Sequence, residues 1–291
     1  MSKPNPAPAQ SDYGDCTPAQ TAQVLPAWCR AKAGHDTARL VTLGLMAGAF
    51  IALGAVLFTT VMVGVPASLG PFRLIGGIAF AMGLLMVCMT GAELSTGNCM
   101  LAAAASHGEM SPRAMWRILA LSFAANAAGA LVVALLMHGT GLFDGKHGRV
   151  LIAVAEAKSA LPPVQAFTRA VLCNALVCIA VWMILAGRTL PSKLAGLMLP
   201  IAAFVACGFE HSIANFYFLP AGAMAGADIG LGAAVANLTL VTAGNFVGGT
   251  VVALALYHAH LARAATPAAQ AAHGPPLIDA NATFAARQAT G

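Results

Sequence analysis

Six separate stretches of this chain, at about 37–62, 74–105, 114–137, 164–186, 194–225 and 232–258, are apolar over the length that a bilayer crossing demands. A helix needs roughly 20 mostly apolar residues to span the hydrocarbon. The solvent is therefore lipid, and almost no chain is left over for a soluble domain. The 9% charged content says the same, because soluble domains carry roughly a quarter. The net charge of +5 reads as a topology signal, not as a nucleic-acid face.

Residues 1–36 are polar and Pro-rich at first and lack the apolar core of a cleavable signal peptide, so the first span is expected to act as its own insertion signal. Within them, Val24, Leu25, Trp28 and Cys29 stand among polar residues, as in a short amphipathic helix lying on the membrane or on a channel mouth. Residues 37–261 form the membrane domain, and 262–291, a mixture of Ala, Pro, Thr and Gln without periodicity, read as a disordered tail. Six crossings put both termini on one side. Lys and Arg on that side, among them Arg30, Lys32, Arg113 and Arg188, outnumber those opposite, Arg73, Lys146, Arg149, Lys158 and Arg169, by two to one. That bias makes the termini cytoplasmic. Five of the seven cysteines, Cys88, Cys99, Cys173, Cys178 and Cys207, lie inside apolar windows, so neither a disulfide framework nor a bound metal is expected, nor any cofactor.

The second and fifth windows are too long for one crossing and carry polar residues at their centres. Gly91-Ala92-Glu93-Leu94-Ser95-Thr96-Gly97-Asn98 aligns without gaps on Gly208-Phe209-Glu210-His211-Ser212-Ile213-Ala214-Asn215, sharing Gly, Glu, Ser and Asn at the same spacing. A second echo pairs Asn126-Ala127-Ala128-Gly129 with Asn245-Phe246-Val247-Gly248. The chain reads as a duplication of three spans, and an odd number of spans inverts the second copy. The expected fold is an all-α membrane protein of six transmembrane helices in two inverted repeats, the second and fifth helices broken near the midplane.

Irregular backbone at membrane depth is tolerated only where protein or a water-filled cavity satisfies it, so both breaks face inward. Ser95, Thr96, Asn98, Ser212 and Asn215 can bond the freed backbone groups. Glu93 and Glu210 are costly at a helix centre and are expected to cap the half-helices that follow, where the dipole favours negative charge. His211 has no counterpart in the first repeat and is the stronger candidate for touching a solute, as a hydrogen-bond donor to an anion. Lys158, in a loop before the fourth span, can draw anions into a vestibule.

The strings GAELSTGN and GFEHSIAN, with CNALVCIAVWM at 173–183 and AGNFVGG at 243–249, resemble the signatures of the formate/nitrite transporter family. The likeness runs over about 37–258. It implies a homopentamer in the bacterial inner membrane, each protomer holding its own pore in an aquaporin-like arrangement. It also implies a central histidine at His211, a loop threonine at Thr96, a vestibular lysine at Lys158 and pore asparagines at Asn174 and Asn215. Constrictions would be Phe80 and Leu84 on one side, and Leu94, Phe204 and Val177 on the other. Ser95 stands where many members have Phe or Tyr, which implies a wider constriction here.

The function expected is passage of a small monovalent anion, formate or nitrite, either protonated through His211 or as the ion with Thr96 helping. A neutral-solute pore for water or ammonia is the first alternative, weakened for water by the absence of paired NPA motifs. An intramembrane hydrolase using Glu210 and His211 is the remote one, since neighbours on a helix diverge and no HExxH motif is present.

Overall fold

The computed structural model describes residues 14–66 and 69–261. The N-terminal end of the 1–36 segment and the whole of the 262–291 tail lie outside the described residues. The rest is helical: α1 (Pro18–Ala33), α2 (Thr37–Val61), α3 (Gly70–Thr90), α4 (Leu101–Ser106), α5 (Pro112–Gly139), α6 (Lys146–Ser159), α7 (Pro163–Ala186), α8 (Leu190–Ala206), α9 (Ser212–Met224) and α10 (Leu231–Leu261). Five of them, α2, α3, α5, α7 and α10, are long and apolar enough to cross a membrane, and α8 is apolar but shorter.

The helix ends follow local chemistry. Thr17 and Gln20 close a capping box at the start of α1. Asp36 accepts the Arg39 N–H at the start of α2, and Ser111, followed by Pro112, caps α5. α3 stops where Gly91 turns left-handed at φ 71°, and Gly208 does the same after α8 at φ 70°. A Cβ is disfavoured in that conformation. The second window is helical again only from Gly97, through a short 3₁₀ turn into α4. The fifth resumes at Ser212.

Two helix pairs frame the molecule, α2 against α5 and α7 against α10. Both depend on glycine. A Cβ on Gly48 would sit 2.0 Å from the Asn126 carbonyl oxygen, and one on Gly248 would sit 2.0 Å from that of Val171. The backbones therefore touch directly, as small residues permit between membrane helices.

The amphipathic stretch at the N-terminus is α1, which buries Leu25, Cys29 and Thr21 against the ends of α4, α7 and α10. Hydropathy gave no sign of α6. It places Lys158 on a helix, not in the expected loop, and packs against α9 with Gly222 facing Ala155.

Candidate functional site

The residues at 91–98 and 208–215 are held by the same set of bonds. Glu93 N–H donates to the Leu43 carbonyl, and Glu210 N–H to that of Arg169. Asn126 on α5 donates to the carbonyls of Gly44 and Glu93 and accepts the Ser95 N–H. Asn245 on α10 donates to those of Ala170 and Glu210 and accepts the Ser212 N–H. Each asparagine thus ties the turn to the neighbouring long helix and satisfies the backbone that the turn frees.

The two carboxylates do not cap the following helices. Glu93 Oε2 takes Lys32 Nζ of α1 at 2.6 Å and Asn98 Nδ2 at 2.9 Å, while His35 Nδ1 lies 3.4 Å from its other oxygen. Glu210 takes Lys158 Nζ at 3.0 and 3.1 Å and Asn215 Nδ2 at 2.8 Å. A carboxylate buried this deeply needs a cation partner more than it needs a dipole. The lysines come from elements outside the long helices, which sequence spacing could not reveal.

The cap of α9 is instead His211, whose Nδ1 accepts the Ala214 N–H at 3.2 Å. That bond leaves Nδ1 without a proton, so the neutral ring carries its hydrogen on Nε2 and donates it to Thr96 Oγ1, 3.0 Å away. Among the described residues the Thr96 hydroxyl has no other partner. Among the described residues the Thr96–His211 pair joins the two turns, and the repeat does not duplicate it.

Three cavities adjoin through shared lining residues, two of them bordered by His211. One, about 280 Å³, lies beneath α1 and is bordered by Lys32, His35, Glu93, Leu84 and Leu94. One, about 210 Å³, is bordered by Lys158, Glu210, Phe80, Phe204 and His211. Between them a neck of about 10 Å³ is enclosed by Ile51, Phe80, Leu84, Leu94, Val177, Ile201, Phe204 and His211. The expected grouping of the constriction changes accordingly. Phe80 and Phe204 meet edge to face at 5.7 Å on the Lys158 side, and Leu84 and Leu94 close the α1 side, with Val177 between.

Other expected pore residues sit elsewhere. Asn174 and Asn215 border none of these three cavities. Asn174 donates to the carbonyls of Asn245 and Thr96, and Asn215 to Glu210 and Asn237. Thr96 and Ser95 border a lateral apolar groove of about 640 Å³ between α5 and α10. A small residue at 95 therefore enlarges that groove and does not widen the neck. Among the described residues no three His, Cys, Asp or Glu side chains are gathered to hold a metal.

The class defined by these features is a multi-pass helical membrane protein with a narrow, apolar, histidine-bearing neck between two cation-edged cavities. The profile of the family described as formate/nitrite transporter matches residues 19–259. The chain is 35% identical over 266 residues, 83% of its length and 95% of the relative's, to a probable formate transporter of Methanothermobacter thermautotrophicus. It is 33% identical to the formate channel FocA of Haemophilus influenzae, over 72% of this chain and 81% of that one. A solved FNT family ion channel superposes with a TM-score of 0.77 at 30% identity, covering 82% of this chain and 98% of that one. A pentameric formate channel with formate bound superposes at 0.71 with 32% identity, over 77% and 98%. The chain belongs to the formate/nitrite transporter family.

Proposed function

We propose that the chain conducts a small monovalent anion, formate or nitrite, across the bacterial inner membrane, along the line from the α1-side cavity through the neck to the Lys158 cavity. The observation that carries this is the apolar neck of about 10 Å³ with His211 in its wall and a charged cavity at each end. In this reading α8 and α9 together make a sixth crossing, α3 and α4 are the other interrupted helix, and the halves are inverted repeats. The matched bonds of Asn126 and Asn245, and of Glu93 and Glu210, support it. The two-to-one Lys and Arg bias supports cytoplasmic termini. Likeness to a pentameric formate channel supports a homopentamer. Relatives named as formate channels and transporters support transport over hydrolysis, and Lys158 and Asn215 already occupy the Glu210 carboxylate that a hydrolase would need.

A bare ion in so narrow and apolar a neck is expensive. His211 lowers that cost as a neutral donor. A second proton on Nδ1 would face the Ala214 N–H, donor against donor, at the positive end of α9. This favours His211 and Thr96 as a hydrogen-bonding pair over His211 as the carrier of the proton. Proton coupling then runs through the solute's own acid form or through water.

The test is uptake by proteoliposomes of formate, nitrite, lactate and hydrosulfide across a pH series. Formate and nitrite uptake should exceed that of protein-free vesicles, and His211→Ala should reduce it about tenfold, the worth of one hydrogen bond to a charged group. Uptake undiminished in that variant would remove His211 from the path, and swelling without anion flux would favour a neutral-solute pore.

A further inference from the structure

The positive charge at the Lys158-side mouth is not supplied by Lys158. Its ammonium group lies 3.0 and 3.1 Å from the two oxygens of Glu210, so the pair presents little net charge to an approaching ion. Two other cations border the same cavity, Arg73 at the start of α3 and Arg169 on α7. Among the described residues neither has a carboxylate within ion-pair distance. Arg169 donates to the neutral Gln165 side chain at 3.2 Å, and Arg73 has no hydrogen-bond partner among the described residues.

Arg73 is placed by the turn that ends α8. Its Nη2 lies 2.7 Å from where a Cβ on Gly208 would be, so glycine at 208 serves both the left-handed backbone and the close approach of this guanidinium. Arg73 is half-buried at the lip of the cavity, with its hydrogen-bond donors uncommitted. A planar guanidinium with free donors is matched to a carboxylate or another small oxyanion.

We propose that Arg73, assisted by Arg169, forms the anion-capture site of this mouth, binding a small monovalent carboxylate or oxyanion before it reaches the neck, while Lys158 serves to neutralise Glu210. This rests on the transport reading, and one of its tests does not depend on flux.

The first test is initial formate uptake by full-length protein in liposomes at about 0.01 M and about 1 M ionic strength, where the screening length falls from about 30 Å to about 3 Å. R73Q should lower uptake about fivefold at low salt, as expected for one unit charge about 4 Å from the ion in water, and by much less at high salt. R73K, which keeps the charge but loses the paired guanidinium donors, should fall between the wild type and R73Q. The second test is phenylglyoxal modification of Arg73 in detergent-solubilised wild-type protein, followed by peptide mass spectrometry. Formate or nitrite should slow it. A wild-type rate and salt slope in R73Q, an equal loss at both salt concentrations, or modification indifferent to anions would each overturn the proposal. Protection of Arg73 without any flux would instead overturn the transport reading and leave the site standing.

Discussion

Asn126 and Asn245 each spend one amide on three backbone groups drawn from two segments. Replacing either by leucine leaves the turn's buried N–H and C=O without their partner, at about 1 to 3 kcal/mol per group. N126L and N245L should therefore each lower the midpoint of thermal unfolding in detergent, and by similar amounts because the bonds match. A loss confined to one of the two would show that the turns are not equivalent. The pairing of the asparagines was visible in the sequence as an echo at matching distances. Their partners were not, because Asn126 reaches 82 residues back to Gly44. The capping role expected of Glu93 and Glu210 fails for the same reason. A local pattern sees the helix beginning next door, whereas Lys32 lies 61 residues from Glu93.

At the scale of elements, α1 is fastened to the membrane helices by the Lys32–Glu93 pair and by an ion pair of Arg30 with Glu109. Lys32→Ala leaves Glu93 buried and uncompensated, a cost of about 3 to 5 kcal/mol for a broken buried pair, so α1 should detach. Cys29 reports this directly, since burial pushes its thiol up to about 12 and makes it inert. In a background lacking Cys16 and Cys207, maleimide should label Cys29 slowly in the parent and rapidly in the K32A variant.

The same label should follow pH. Burial, and then Arg39, lower the His35 pKa from its ordinary 6.5, and Glu93 opposes them without prevailing. The docked state holds His35 neutral, so the stability present above 6.5 is lost as the pH falls and the released form gains a proton. Labelling of Cys29 should speed up below that pH, and His35→Asn should flatten the dependence. A rate that ignores pH would show that α1 does not sense it. The amphipathic pattern of α1 was legible beforehand, but α6 was not. It is short and polar on one side, and Gly145 gives its start no capping side chain.

Over the whole molecule, apolar run length predicted where the long helices lie, because lipid imposes that length whatever the side chains do. It could not predict which constriction residues share a side. Phe80 and Phe204 meet through the packing of α3 on α8, segments that are far apart in sequence. If these two rings close the neck, F80A/F204A should raise lactate passage relative to formate about tenfold, the low end of the discrimination typical of one methylene in an apolar pocket. An unchanged ratio would place the size filter elsewhere, at Leu84 and Leu94.

The two buried carboxylates are neutralised alike but by cations with different freedom. Lys158 belongs to a helix packed onto α9, whereas Lys32 belongs to α1, which docks on the ends of α4, α7 and α10 and runs into α2 through the short link at 34–36. An event that pulls on the N-terminal segment can thus unbalance Glu93 while Glu210 stays matched. The molecule is nearly two-fold in its chemistry and one-sided in its tethering, so anything that controls passage by such a release must act from the face that carries α1.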